Sequence, residues 1–293
     1  VKREPLDVDS LRRALCHADG PLARLDVVDS TGSTSSDLAD RVRGGAARAP
    51  AALVAEHQIT GRGRAGRVWQ TPSRAALTVS FLLRPQVPAA RLGWLPLVTG
   101  LAVVRTLAVL GCEARLKWPN DVLLPAGTPV EGLGRHRKVA GVLAEVVPDG
   151  DGPPGGPPAV VVGVGVNVSQ RADELPVPTA TSLALAGAAA DRDALLVGLA
   201  RELIGAVGRL EAAAGDAVAA GLAAEYAAAS ATLGTRVRAE LAGGDDVVVG
   251  RADRVADDGS LVLATPGGER VVTAGDVHHV RAAPDTDAQD PPR

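Results

Sequence analysis

Ala55-Glu56-His57-Gln58-Ile59-Thr60-Gly61-Arg62-Gly63-Arg64-Ala65-Gly66-Arg67-Val68-Trp69 decides the fold, because it offers a formal dinucleotide fingerprint and then fails it. Residues 61–66 match G-x-G-x-x-G and follow an apolar run, 51–56, that reads as a strand. A dinucleotide turn needs a helix next and an acid about 20 residues further on. Here Trp69 and Pro72 follow, then a second strand-like run at 76–83, and no Asp or Glu occurs between Glu56 and Glu113. A Walker sequence, G-x-x-x-x-G-K-[ST], is also missing. The doubly wound nucleotide folds are therefore set aside. What remains is a loop in which arginines alternate with glycines. Glycine lets backbone N–H groups approach a ligand closely, and arginine grips carboxylate or phosphate through paired hydrogen bonds. An RGG-type nucleic-acid segment would repeat and carry aromatics; this loop occurs once, in a chain with three Trp, one Tyr and one Phe.

The acid-free stretch also holds Arg74, Arg84, Arg91 and Arg105, a charge pattern suited to an anion-binding surface. The whole chain nevertheless carries a net charge of -3, which argues against general attraction to nucleic acid or membrane. Of its 31 basic side chains only Lys2, Lys117 and Lys138 are lysines. In a background where arginine serves almost everywhere, a retained lysine marks a place for a compact ammonium on a thin stem rather than a planar fork. Both interior lysines sit in distinctive strings, Lys117-Trp118-Pro119-Asn120-Asp121 and Arg137-Lys138-Val139-Ala140-Gly141. Cys16 and Cys112 show no metal or disulfide spacing. His17, His57, His136 and the pair His278-His279 have no visible partners and receive no catalytic role. The charged first ten residues and the absence of a membrane-length apolar run point to a soluble, cytoplasmic protein.

Working outward, apolar runs predict strands at 25–28, 51–56, 76–83, 114–117, 139–147 and 159–168. Helices are expected from Asp9-Ser10 to Cys16, from Thr34 (with Asp37 completing a capping box) to Arg43, over 91–110, and as one or two segments across 191–229. From Leu233 the pattern changes to five short strands at 236–241, 247–255, 261–264, 270–272 and 277–280, with turns at Gly243-Gly244, Asp258-Gly259 and Gly267-Gly268. Residues 1–232 thus read as a catalytic domain, 233–283 as a small SH3-like β-barrel, and 284–293 as a polar, disordered tail. A chain ended after Ser230 would, on this reading, keep a folded catalytic part.

Four blocks, in order, resemble the biotin–protein ligases. They are Thr31-Gly32-Ser33-Thr34-Ser35, the Gly/Arg stretch quoted above, Lys117-Trp118-Pro119-Asn120-Asp121, and Lys138-Val139-Ala140-Gly141-Val142-Leu143-Ala144-Glu145. Gly163-Val164-Gly165-Val166-Asn167-Val168 is similar to a fifth. The resemblance implies an α/β (α+β) protein: a mixed-sheet, class II synthetase-like catalytic domain followed by the SH3-like barrel. It also implies a two-step reaction in which biotin and MgATP form biotinyl-5′-AMP, and a lysine of a biotin carboxyl carrier domain then accepts biotin.

Carried onto this sequence, Arg64 and Lys138 would be the catalytic cations. Biotin would contact Ser33, Thr34, Ser35, Gln58, Arg62, Gly63, Arg64, Trp118, Lys138 and Gly141. The nucleotide would meet Arg64, Arg67, Trp69, Lys117, Asn120, Asp121 and Asn167, with Mg²⁺ held mainly by phosphates. Ser35 departs from the asparagine usual there. With only some 24 residues ahead of the first strand, no N-terminal DNA-binding module is expected, and the chain is expected to be a monomer or weak dimer. The rival readings are a lipoate–protein ligase or octanoyltransferase of the same superfamily and, outside enzymes, a nucleic-acid-binding regulator. The first lacks the Lys117–Asp121 string and the Gly/Arg loop; the second fits poorly with net acidity and few aromatics.

Overall fold

The computed structural model describes residues 3–148, 156–241, 247–273 and 275–279. The turn expected at Gly243-Gly244 and the tail beyond residue 283 lie outside these residues. In chain order the elements begin α1 (Val8–Leu15), β1 (Arg24–Val28), α2 (Thr34–Arg43), β2 (Ala51–Ala55), β3 (Gly61–Arg62), β4 (Val68–Trp69) and β5 (Ala76–Leu83). Next come α3 (Leu95–Ala108), β6 (Arg115–Lys117), β7 (Asp121–Val130), β8 (Gly134–Val147), β9 (Ala159–Asn167), α4 (Arg192–Ala212) and α5 (Leu222–Ala229). β10 (Arg236–Leu241), β11 (Val247–Val255), β12 (Leu261–Thr265), β13 (Gly268–Val272) and β14 (Gly275–His279) close the chain.

Seven strands form one sheet in the order β1-β2-β5-β9-β8-β7-β6. Only β1 and β2 pair in parallel; the other pairings are antiparallel, so the sheet is mixed as expected. β9 shows how the sequence builds its two faces. In Ala-Val-Val-Val-Gly-Val-Gly-Val-Asn, alternate side chains point to opposite sides. Val160, Val162, Val164 and Val166 enter the main core under α3 and α4. Val161 enters a smaller core beneath α2, and Gly163, Gly165 and Asn167 follow it on that same face. Gly163 pairs with Ser80 and Leu143, and Gly165 with Gly141. Beyond α2, the sheet therefore has a floor nearly bare of side chains.

Several expectations are corrected. The helix expected over 91–110 is a 3₁₀ segment, Ala89–Trp94, running into α3, which starts where Pro96 can occupy a first-turn position without costing a hydrogen bond. α1 is capped by Asp7 rather than by Asp9-Ser10. α2 is capped by Ser33, whose hydroxyl accepts from Ser36 N, while Asp37 accepts from the Thr31 hydroxyl instead of closing a capping box. β7 was not anticipated at all.

β10 to β14 form an antiparallel five-stranded sheet in the order β13-β12-β11-β10-β14. It is keyed into the larger sheet. Trp94 Nε1 donates to Ala256 O at 3.1 Å and Trp118 Nε1 to Gly259 O at 3.0 Å. Gly93 and Gly259 touch so closely that a Cβ on Gly93 would lie 2.0 Å from Asp258 O. Val237, Leu261, Leu263 and Val277 share one continuous core with Trp94 and Trp118. This changes the expectation for a chain ended after Ser230. It loses both indole acceptors, each about 1–3 kcal/mol when left unmade in a buried setting, and uncovers two tryptophans. Its melting temperature should fall on the order of 10 °C relative to the full chain. An unchanged thermal melt would show the keyed contacts to be energetically idle.

Candidate active site

The bare floor opens into a cleft of about 630 Å³. Its walls come from the start of α2, the β3–β4 hairpin, the segment from Lys117 to Asp121, the β7–β8 turn, residues 176–180 and β14. Of the residues the sequence nominated, Ser33, Thr34, Ser35, Gln58, Arg62, Gly63, Arg64, Arg67, Trp69, Lys117, Asn120, Asp121, Lys138, Gly141 and Asn167 all line it. Trp118 does not. It is 1 % exposed, and its ring lies behind the cleft against the C-terminal sheet. Neighbouring side chains in an irregular segment point in different directions, so Lys117 and Pro119 face the cleft while Trp118 faces the core.

One end of the cleft is polar and neutral. Gln58 Oε1 accepts from Thr34 N at 2.8 Å and from Thr34 Oγ1 at 3.0 Å. Thr34 Oγ1 and Ser35 Oγ both reach Ser80 Oγ, at 2.8 and 2.9 Å. All four side chains are buried. Ser35 fits because residue 163 is glycine: a Cβ there would stand 2.5 Å from Ser35 Oγ.

The other end is cationic. In β8 the pairing slips by one residue at Val139, since Val122 faces Ala140 but Leu123 faces Lys138. Such a bulge re-aims a side chain. Lys138 turns across Gly141, where an added Cβ would meet its Cε and Nζ at 3.1 Å. Its ammonium lies 2.6 Å from Asp121 Oδ1 and 5.8 Å from the centre of the Trp69 ring. Residues 179 and 181 strap its backbone in place, through Lys138 N to Thr179 O and Thr181 N to Lys138 O.

Burial holds Lys117 below the usual ammonium range; Asp121 opposes that shift, while Lys138, Arg67 and Arg64 reinforce it. Burial likewise lowers Arg64, which Asp121 partly offsets and Arg67 adds to. Arg64 donates to Asn120 Oδ1 over a long 3.4 Å, and Asn120 is itself held by Nδ2 to Val142 O at 2.9 Å. Lys117, Lys138, Arg64 and Arg67 thus outnumber the lining carboxylates Asp121 and Glu131, an excess of positive charge that suits an anion.

The roof is the two-stranded hairpin β3–β4, closed by the turn Arg64–Gly66 with Ala65 and Gly66 at positive φ. Trp69 lies flat over Gly165, whose Cβ would fall 2.5 Å from the ring, and its Nε1 is buried with no partner among the described residues. A buried orphan N–H in a cleft wall calls for an acceptor from outside. Arg62 binds Glu145 with both nitrogens, at 2.7 and 3.1 Å, fastening the hairpin to β8. Asn167 lines the floor, but its amide is spent inside the protein, to Thr181 O and from Gln170 Nε2. Ser80 and His278 were missed. Ser80 is a lone hydroxyl in an apolar strand, and no local signal marks it. His278 reaches the cleft from β14, beside Gly132 and 3.8 Å from Glu240. Burial and Lys117 lower its pKa, with Glu240 opposing them.

A polar pocket and a cationic pocket under one glycine-rich roof match the pattern that the sequence blocks resembled. Residues 27–167 match the biotin/lipoate A/B protein ligase family, and residues 232–280 match the biotin protein ligase C-terminal domain. A biotin–[acetyl-CoA-carboxylase] ligase of Mycobacterium tuberculosis is 44 % identical over 285 residues, covering 95 % of this chain and 97 % of that protein. This chain belongs to the biotin–protein ligase family. A second ligase of the same name, from Paracoccus denitrificans, is 34 % identical across 85 % of this chain and 96 % of its own length. Among solved structures, an Aquifex aeolicus biotin protein ligase in complex with biotin and ATP aligns with a TM-score of 0.66 at 27 % identity, over 88 % of this chain and 98 % of that one. The ligase described here keeps that fold across both of its sheets.

The hairpin that roofs the cleft is where ligand should be felt first. Proteolytic cleavage within residues 60–68 should slow when biotin and ATP are added together, because phosphate and carboxylate would add charged partners for Arg64 and Arg67 to the one Arg62 already has in Glu145. Equal cleavage with and without ligands would remove the hairpin from the binding event.

Proposed function

We propose that this ligase joins biotin to a lysine of a biotin carboxyl carrier domain in two steps, both at the cleft described above. In the first, a biotin carboxylate oxygen attacks the α-phosphorus of ATP; the bond to the β,γ-phosphates breaks and pyrophosphate leaves. In the second, the uncharged ε-amine of the carrier lysine attacks the acyl carbon, AMP departs, and an amide remains. The observation that carries this reading is the pairing of a neutral pocket at Gln58, Thr34 and Ser35 with a cation cluster at Lys138, Arg64, Arg67 and Lys117. The neutral pocket suits a ureido ring. The cations suit a carboxylate and a phosphate, which repel each other until positive charge screens them.

Lys138 would hold the carboxylate, Arg64 the adenylate, and Arg67 and Lys117 the phosphates. Trp69 and Asn120 would wall the nucleotide, with Asn167 fixing the floor beneath it. No group of three His, Cys, Asp or Glu suited to a metal occurs among the described residues, so magnesium would be held mainly by the phosphates of ATP, in a cleft lined by the carboxylates Asp121 and Glu131. We assign residues 1–232 to catalysis and 233–283 to the C-terminal module that His278 extends into the cleft. The mycobacterial relative's name supports a carboxylase carrier as the partner, and a cytoplasmic monomer or weak dimer without a nucleic-acid role fits the net charge. No helix among the described residues is long and apolar enough to cross a membrane. The test is ATP–pyrophosphate exchange. It should require biotin and ignore lipoate and octanoate; exchange driven equally by lipoate would move the chain to the sister activity.

A further inference from the structure

The hydroxyls of the neutral pocket form a chain whose direction can be read. Gln58 Oε1 receives the backbone N–H of Thr34 at 2.8 Å, so the amide atom facing Thr34 is oxygen. Thr34 Oγ1 sits 3.0 Å from that same oxygen. Two oxygens this close, both presenting lone pairs, would repel, so the Thr34 proton points to Gln58. A hydroxyl has one proton. The 2.8 Å bond between Thr34 and Ser80 must then carry the Ser80 proton, and the 2.9 Å bond between Ser80 and Ser35 must carry the Ser35 proton.

We infer that Ser35→Ser80→Thr34→Gln58 is a one-way donor chain, and that Ser80, which does not line the cleft, is the positioning residue that gives the ureido pocket its polarity. Gln58 Nε2 is left beside Gly61 as a donor, and Ser35 is left with lone pairs only. A ring bearing both a carbonyl and N–H groups meets a donor at Gln58 and an acceptor at Ser35. A ring with neither, such as a dithiolane, leaves both unpaired. The chain depends on glycine at 163, where a Cβ would lie 2.5 Å from Ser35 Oγ and 3.5 Å from Ser80 Oγ.

Ser80→Ala removes the link while leaving every cleft-lining side chain in place. Thr34 loses its incoming donor, and Ser35 loses its acceptor and can turn its proton toward the ligand. This inference rests on the proposed biotin activity, so wild-type exchange is measured first: its absence would defeat that activity, whereas the outcomes below bear on the chain alone. KM for biotin in pyrophosphate exchange should rise about tenfold in Ser80→Ala, the equivalent of one buried hydrogen bond left unmade, while KM for ATP stays unchanged. Desthiobiotin, which keeps the ureido ring, should suffer the same penalty. Ser35→Ala and the double variant complete a cycle, in which the second substitution should add little because the chain is already cut. Should Ser80→Ala melt early, Ser80→Cys, which keeps size but donates weakly, is read in the same way. An unchanged KM for biotin, a parallel rise in KM for ATP, or full additivity in the cycle would each overturn the inference.

Discussion

Lys138→Arg is expected to lower biotin-dependent pyrophosphate release on the order of a hundredfold, with little change in the thermal melt. The lysine lies in a slot whose sides are all defined. Asp121 Oδ1 is 2.6 Å from its ammonium, the Trp69 ring is 5.8 Å away, and a Cβ on Gly141 would stand 3.1 Å from its Cε and Nζ. A guanidinium keeps the charge but is wider and flat. It would push the reacting carboxylate off its line toward phosphorus, and a misplacement of about 1 Å suffices for a loss of this size. Because the lysine stem is half-buried and the ion pair with Asp121 survives the change, folding should barely notice. The control is Arg137→Lys, one residue earlier, whose guanidinium bonds to His136 O and the Thr128 hydroxyl, away from the cleft. If Lys138→Arg adenylates at nearly the wild-type rate, the scarcity of lysine in this chain carried no chemical information.

The second large effect is a change in where the product goes. Arg64→Ala should release the reactive anhydride into solution. Arg64 is desolvated, and its 3.4 Å bond to Asn120 is too long to satisfy a guanidinium. On the proposed reading, its strong bonds go to the bound anion. Removing one charged hydrogen bond to a held anion costs about 1.5–3 kcal/mol, a tenfold or greater loosening. The escaping acyl adenylate should label lysines of an added, unrelated protein. Labelling no greater than with the wild type would take Arg64 out of intermediate retention.

Much of this site was legible because its chemistry needs unusual residues side by side. The Gly/Arg stretch and the two retained lysines each carry a physical reason for their composition and lie at the cleft, whereas the Val-Gly alternation of β9 enters only through resemblance and gains its reason from the bare floor it makes. What escaped did so for identifiable causes. β7 contains Pro125, Gly127 and Pro129, residues that demote a strand when read locally, yet it pairs with the long β8 and needs no intrinsic preference. Trp118 was placed in the ligand pocket because its neighbours belong there; a sequence string does not say which way each side chain turns. Ser80 lies 46 residues from Thr34 and His278 lies 146 residues from Gly132, and only the fold brings the first behind the polar pocket and the second to the cleft. Arg62 was read as a ligand contact, and in the structure its guanidinium is also the fastening of the roof to Glu145.

The two indole bonds that key the small sheet into the large one set an order on assembly. Trp94 and Trp118 leave the ribosome 162 and 141 residues before the carbonyls of Ala256 and Gly259 that accept their N–H groups. Trp118 backs the very segment, Lys117 to Asp121, that lines the cationic end of the cleft. A chain still being made therefore has its glycine floor and its arginines but no firm wall behind its lysine. The β10–β14 sheet is thus the later-made part of the support for the segment from Lys117 to Asp121.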